Sequence, residues 1–155
     1  GTSAAQRMEG TDMTVQHESD IRQLLDAAAD AVRARNVDAL MSNFAPDVLS
    51  FDVIDPLQYV GLDEARKRAE AWFASFDGPI GYQVRDLSIA TGDDVAFCHS
   101  LNQVSATKTD GVKLEMWWRA TVCLRRIGGK WKITHQHNSV PFDPRTGGAS
   151  IELEP

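Results

Sequence analysis

The side chains that could do chemistry are concentrated near the C-terminus. Residues 134–139 read THQHNS, where a purely structural strand would carry Val or Ile. Imidazole rings exchange protons near neutral pH, and amides and hydroxyls hydrogen-bond to oxygen-bearing ligands. This run follows a Gly128-Gly129 turn and ends a long predicted hairpin. It therefore predicts the wall of a polar pocket, without identifying a substrate.

The last predicted strand has two chemically different faces. Side chains alternate along a strand, so His135 and His137 share one face, and Gln136 and Asn138 share the other. The histidines could be structural or interface residues, acid/base groups in a pocket, or metal ligands. A stable metal site needs a third ligand, and the spacing announces none. We therefore predict no metal, and leave open which face lines the pocket.

Asp52 is the leading candidate for a general base. It ends an apolar run that begins at Val48, so its carboxylate should be partly desolvated and useful as a base near neutral pH. The alternative is a local role, with the carboxylate capping the turn over 52–55. Tyr59 follows shortly after and could reach the mouth of a cavity with its hydroxyl.

Several residues in the other predicted elements have more than one interpretation. Arg119 lies mid-strand among aromatic and apolar residues, which predicts a buried ion pair with Glu115 or with an acceptor on a neighbouring strand, or else anion binding. His99 is ambiguous in the same way. Trp72 and Trp118 are mostly core candidates, although Trp118 lines the cavity if its face neighbour Val122 does.

Bulk properties exclude several classes of function. The chain has 155 residues, 43% of them hydrophobic, and a net charge of −6. That suits one domain with a real core. It has no basic stripe for nucleic acid, no membrane-length apolar run and no cofactor motif. Cys98 and Cys123 are expected to be buried thiols, which indicates a cytoplasmic location.

The order of predicted elements gives the fold class. Helices are predicted at about 20–35, around Leu40, Met41 and Phe44, and at about 64–76. Strands are predicted at about 48–53, 57–60, 81–91, 95–108, 112–126 and 130–140. Helices followed by an antiparallel meander predict an α+β fold, with a curled sheet, helices on one face and a cavity between them. Residues 1–17 are predicted to be a disordered or tag-derived tail, 18–142 the domain, and 143–155 an irregular tail.

Two segments carry a resemblance to a known superfamily. The helical lead over 32–47 (VRARNVDALMSNFAPD) and the ending over 129–139 (GKWKITHQHNS) resemble the SnoaL-like and ketosteroid-isomerase-like members of the NTF2-like superfamily. The ending also resembles the association domain of calcium/calmodulin-dependent kinase II. The resemblance spans 18–142 and implies a cone, with three N-terminal helices on the concave face of a curled antiparallel sheet.

The resemblance also assigns positions within the pocket. The general-base aspartate of ketosteroid isomerases falls on Asp52, whereas their oxyanion-donor tyrosine falls on Ala28, so one donor of the isomerase reaction is missing. The pocket arginines of the kinase association domain fall on Asn102, Val122 and Asn138. This places Asn138 in the pocket and turns the two histidines outward.

Two functions follow from these residues. The first is a small-molecule-binding protein acting as a cofactor-independent acid/base enzyme on a moderately apolar, oxygen-bearing substrate. Asp52 would be its base, with Asn102, Gln136 and Asn138 as donors. The alternative is a non-catalytic ligand-binding or oligomerisation domain. Because both faces of 114–124 carry apolar residues, we also predict a homodimer.

Overall fold

The structure is a computed structural model that describes the backbone of residues 4–155 and the side chains of residues 12–155. Within these residues the helices are α1 (Ala4–Arg33), α2 (Val37–Met41) and α3 (Leu62–Ala74). The strands are β1 (Phe44–Phe51), β2 (Tyr59–Val60), β3 (Phe76–Thr91), β4 (Val95–Lys108), β5 (Lys113–Ile127) and β6 (Lys130–Ser139).

Helix α1 is longer than its predicted span. It begins at Ala4, so residues 4–17 are helical where we expected a loose tail. This segment contains two Ala, two Gln and two Met, which favour helix. Its C-terminal turn is held by a tertiary contact. There, His17 is buried with its ring 5.3 Å from the ring of Trp131. The expectation that the first three residues derive from a tag lies outside the described residues.

The beginning of β1 also differs from the prediction. Phe44 was expected to face inward from the short helix, but α2 ends at Met41 and Phe44 pairs with Ile133 of β6. Pro46 disfavours helical geometry in the residue before it, so the chain extends here instead. The register of the β1–β6 pair shifts between Phe44 and Leu49, where the proline cannot donate to the ladder.

The predicted meander is confirmed. Strands β3 to β6 pair antiparallel in chain order, and β1 joins β6 in parallel, giving a six-stranded sheet of order β2-β1-β6-β5-β4-β3. The α+β fold with helices on one side of a curled sheet is the predicted one. None of the described helices is long and apolar enough to cross a membrane.

The core lies between the helices and the concave side of the sheet. One cluster packs Ile21 of α1 and Met41 of α2 against Val48, Leu124 and Ile133. The second packs Val32 and Phe73 against Ile80 and Val104. Since the helices cover the concave side, the strand residues in these clusters show which side chains point inward.

Candidate active site

The strand register separates the two faces of β6. Gln136 pairs with Val122, and Asn138 pairs with Ala120. Paired residues in a sheet project from the same face. Val122 packs against the core beneath the helices, so Gln136 and Asn138 lie on the concave face. His135 and His137 consequently lie on the convex face, as the resemblance implied.

The convex histidines are embedded in aromatic and backbone contacts. His135 Nδ1 donates to the backbone carbonyl of Leu49 at 2.7 Å. The ring of Phe51 lies 4.7 Å from His135 and 5.4 Å from the exposed His137. His99 is also exposed on this face, in the row that crosses Thr121 to His137. Among residues 12–155, no group of three His, Cys, Asp or Glu side chains is arranged to hold a metal.

Arg119 does not occupy the predicted buried position. It is exposed, and its Nε donates to Ser139 Oγ at 3.1 Å. Its pairing partners, Leu101 and Ser139, place it on the convex face. The predicted buried ion pair with Glu115 is therefore wrong, because this face of the strand has no helix to bury it.

A first polar cluster lies where β1, β2, β6 and α3 meet. We call Ser50, Asp52, Tyr59, Arg68 and Gln136 the Tyr59 cluster. Ser50 is fully buried and accepts a hydrogen bond from Gln136 Nε2 at 3.1 Å. The Tyr59 hydroxyl interacts with both of these side chains.

The electrostatics of the Tyr59 cluster keep the phenol protonated. Burial raises the pKa of Tyr59 above its ordinary value of 10.0, and the Asp52 carboxylate raises it further. Hydrogen bonding with Ser50, the charge of Arg68 and hydrogen bonding with Gln136 oppose the rise. At neutral pH the hydroxyl is therefore a hydrogen-bond donor beside a carboxylate.

Asp52 has the local capping role that the sequence allowed. It follows the end of β1 and is half-buried. Its Oδ1 accepts the backbone N–H of Val53 at 2.8 Å, which is a local capping bond. Its Oδ2 accepts no hydrogen bond from any residue in 12–155. One oxygen thus fixes the orientation of the carboxylate, and the other has no hydrogen-bond donor among residues 12–155.

Arg68 completes the Tyr59 cluster. Its guanidinium carbon lies 4.5 Å from the centroid of the Tyr59 ring, and its Nη2 donates to the carbonyl of Asp55 at 3.0 Å. Its Nε is buried with no acceptor among the described residues. Sequence reasoning missed Arg68 and Ser50. Arg68 does lie between Ala65 and Ala69 on the predicted inner face of α3, which is a signal that could have found it.

A second polar cluster lies on β3 and β4. Ser100 Oγ donates to Asn102 Oδ1 at 2.8 Å, and Asn102 Nδ2 donates to Tyr82 Oη at 2.9 Å. We call these three residues the Tyr82 cluster. Burial raises the pKa of Tyr82 to about 12. Asn102 was predicted to contact a ligand directly; here both ends of its amide bind other side chains. Tyr82 was missed, although it lies two residues before Val84 in the predicted strand and therefore on the same face.

The remaining predicted pocket residues lie between or beside these clusters. Trp118, Val122 and Asn138 are half-buried on the concave face. Trp72 packs on the second core cluster, 5.6 Å from the ring of Phe76. A separate open groove of about 520 Å³ lies between the α1–α2 turn and α3, and no residue of either polar cluster lines it; its lining is Ala34, Arg35, Asn36, Val37, Asp38, Arg66 and Glu70.

Known structures share this architecture. An NTF2-like protein of unknown function from Pseudomonas putida is 33% identical, with a TM-score of 0.83 over 91% of this chain and 98% of that one. A candidate scytalone dehydratase from Novosphingobium aromaticivorans is 13% identical, with a TM-score of 0.75 over 93% of this chain and 99% of that one. A ketosteroid isomerase-like protein from Erwinia carotovora is 20% identical, with a TM-score of 0.68 over 78% of this chain and 93% of that one. The last two show the fold alone.

Family assignment rests on sequence as well as shape. No protein of curated function matches the chain. The model of the SnoaL-like domain matches residues 21–143, which include the concave face and both polar clusters. The chain therefore belongs to the SnoaL-like domain family, with the NTF2-like fold.

Proposed function

We propose that the protein binds a moderately apolar, oxygen-bearing small molecule on the concave face of its sheet and acts on it by acid/base chemistry. The observation that carries this proposal is the Tyr59 cluster. A half-buried carboxylate with one free oxygen lies beside a phenol that stays protonated. A base and a donor side by side are the minimum that proton abstraction and return require.

Asp52 is the proposed base. Its Oδ1 is held by the backbone of Val53, so its free Oδ2 is presented in a fixed orientation. Tyr59 is the proposed donor to the oxygen on which negative charge develops, and its hydroxyl is oriented by Ser50 and Gln136. Arg68, stacked over the Tyr59 ring, stabilises that charge. No cofactor is required for such a step.

The reaction class is proposed as isomerase, cyclase or lyase. Structural neighbours include a candidate dehydratase and a ketosteroid isomerase-like protein. Both reaction types begin by removing a proton near an oxygen-bearing group. This chain has Ala28 where the isomerase donor is expected. Tyr59 supplies a phenol from a different element, so the geometry differs from that of the isomerase.

Non-catalytic ligand binding or assembly is the second candidate. The capping bond from Val53 to Asp52 favours it, because that bond gives the carboxylate a local structural role. The convex face favours assembly: Phe97 is 55% exposed there beside its half-buried strand partner Cys123, and the half-buried Trp117 lies further along the same face of β5. We propose that this face joins two copies in a homodimer. A cytoplasmic location stays a proposal that rests on the two free cysteines.

Proton abstraction can be tested without knowing the substrate. The probe is 2-cyclohexenone in deuterated buffer, with exchange of its α-protons followed by NMR. We expect the protein to speed exchange above the buffer rate, and Asp52→Asn to remove most of that increase, since a general base contributes about 100- to 10,000-fold.

The matched control is Asp47→Asn, which removes the same charge from an exposed position on β1. It should leave the exchange rate unchanged. Exchange that is equal in the wild type and Asp52→Asn, or no faster than in buffer, contradicts the acid/base proposal. If Asp52→Asn lowers the free energy of unfolding by more than about 2 kcal/mol, its carboxylate is a structural acceptor instead.

A further inference from the structure

The Tyr82 cluster is a hydrogen-bond chain with a defined direction. Ser100 donates to the carbonyl oxygen of the Asn102 amide, and the amide nitrogen donates to Tyr82 Oη. Each bond orients the next. The chain therefore ends with the Tyr82 oxygen acting as an acceptor, and its own hydroxyl hydrogen still has to find a partner.

No protein atom in residues 12–155 accepts that hydrogen. The side chain is nevertheless on the helix-facing side of the sheet, packed with the second core cluster and 5.8 Å from the Trp118 ring. Tyr82 is half-buried, and a donor in such surroundings is costly to leave unpaired, so its partner is water or a ligand.

The position of Tyr82 is fixed from two sides. Arg33 Nε, on α1, donates to the backbone carbonyl of Tyr82 at 2.9 Å and ties β3 to the helix. Asn102 is only 8% exposed, so the amide that orients the hydroxyl cannot rotate freely into solvent. A donor held in this way binds an acceptor without having to lose much conformational freedom.

The cluster also lies in line with the proposed site. Ser100 pairs with Ala120, which pairs with Asn138, so a single methyl group separates the two polar residues across two strand spacings. Asp52 follows Phe51, the partner of His137, and is therefore next to Asn138 in the sheet order. Polar groups thus lie on both sides of a small apolar strip of the sheet that is roughly 10 Å wide, or two strand spacings.

We propose that Tyr82 is a ligand-binding residue of a second subsite, and that its hydroxyl donates to an acceptor oxygen on a planar, apolar part of the ligand. Asn102 and Ser100 act as positioning residues. The fitting ligand has a carbonyl-type oxygen, because the acceptor side of Tyr82 is already occupied by Asn102. This inference rests on the proposed binding function of the concave face, but not on Asp52 acting as a base.

Acetophenone and α-methylstyrene are suitable probes, because they differ only in a carbonyl oxygen replaced by a methylene carbon. The chain has two tyrosines, so labelling of tyrosine Cζ with carbon-13 gives two signals, which Tyr59→Phe assigns. We expect acetophenone to shift the Tyr82 signal and α-methylstyrene to leave it in place. Tyr82→Phe should weaken acetophenone binding by about three- to tenfold and leave α-methylstyrene binding unchanged.

The positioning residues have a separate readout. Ser100→Ala removes the first donor of the chain and should reduce the preference for acetophenone less than Tyr82→Phe does. The labelled wild-type protein keeps the test valid even if Tyr82→Phe does not fold. Three results would overturn the inference: a shift of Tyr59 alone, no shift at millimolar acetophenone, or an unchanged preference in Tyr82→Phe. If wild-type protein does not speed α-proton exchange above the buffer rate but still prefers acetophenone, the proposed base is refuted and the Tyr82 subsite is retained.

Discussion

The two faces of one sheet use polar residues in opposite ways. On the concave face, Ser50, Tyr59, Gln136, Tyr82 and Asn102 are joined in short hydrogen-bonded clusters beneath the helices. On the convex face, the titratable side chains contact aromatic rings, backbone or solvent, as His135 and the exposed His99 and His137 do.

The difference follows from burial. Where helices remove water, a polar side chain needs a protein partner, and each partner constrains the geometry of the next. Where the sheet is open, an imidazole or guanidinium can be solvated and no network is imposed. Three of the four histidines in the sequence therefore lie on the open convex face, whereas the hydrogen-bonded polar clusters lie on the concave face.

Replacing a leucine on each face should give the largest difference between the two faces, measured as loss of the free energy of unfolding. Leu124 is 1% exposed on the concave face, while Leu101 is half-buried on the convex face. Leu124→Ala should lower the free energy of unfolding by about 2–5 kcal/mol, because it leaves a cavity. Leu101→Ala should cost about 1 kcal/mol or less in the monomer. Urea denaturation measures both, and equal losses would show that the convex face is buried as well.

The convex face should matter instead for association. Phe97→Glu places a charge in the proposed interface and should raise the dissociation constant of the dimer by about 30-fold or more, as at an interface hot spot. Phe142→Glu is the matched control, since Phe142 is 68% exposed in the C-terminal segment. Light scattering at micromolar concentration reports the mass. A wild-type mass near 17.1 kDa, that of one chain, would reject the homodimer.

Much of the fold could be predicted from the sequence because its signals are local. The turns at Asp110-Gly111 and Gly128-Gly129 and the long alternating runs fixed the meander to within a few residues of the observed strands. The first half of α1 was missed because the contact between the rings of His17 and Trp131, which holds this part of the helix, joins residues that are distant in the chain. Phe44 was misassigned because parallel pairing with β6 is not visible in local periodicity.

The candidate site was less predictable than the fold. Asp52, Tyr59 and Gln136 could be named from local patterns. Asp52 ends an apolar run, Tyr59 follows shortly after it, and Gln136 lies in the polar run of the last predicted strand. Ser50 could not be named, because its contact with Gln136 depends on β1 and β6 meeting in space, and Arg68 had only its position on the inner face of α3 as a signal. Arg119 was predicted as buried because composition around a residue does not say which face a helix covers.

Alkaline pH should test the burial of the concave titratable groups. Burial raises the pKa of Tyr82 from 10.0 to about 12, and burial with a nearby Cys123 raises that of Cys98 from 9.0 to about 11. Well below pH 9 the Tyr82 hydroxyl and the Cys98 thiol are neutral in the folded and the unfolded chain. Their contribution to the free energy of unfolding is therefore complete there. As the pH rises further the unfolded chain ionises first, and the free energy of unfolding falls until the pH passes 12.

The free energy of unfolding should fall by at most about 1.4 kcal/mol per pH unit for each of the two groups. Urea denaturation at a series of pH values measures it. Tyr82→Phe should make the fall shallower between pH 10 and about 12 and leave the contribution of Cys98, which lies between pH 9 and about 11. A free energy of unfolding that stays level through this range would mean that the concave groups are solvated.

The most direct test of the account is the ionisation of Tyr59 in the wild type and in Asp52→Asn, followed by NMR of carbon-13-labelled tyrosine Cζ. The central claim is that Asp52 and Tyr59 form one site on the concave face. Because the carboxylate opposes ionisation of the phenol, its removal should lower the pKa of Tyr59 and leave that of Tyr82 at about 12. A Tyr59 pKa that is the same in both proteins would place the two groups apart and contradict the claim.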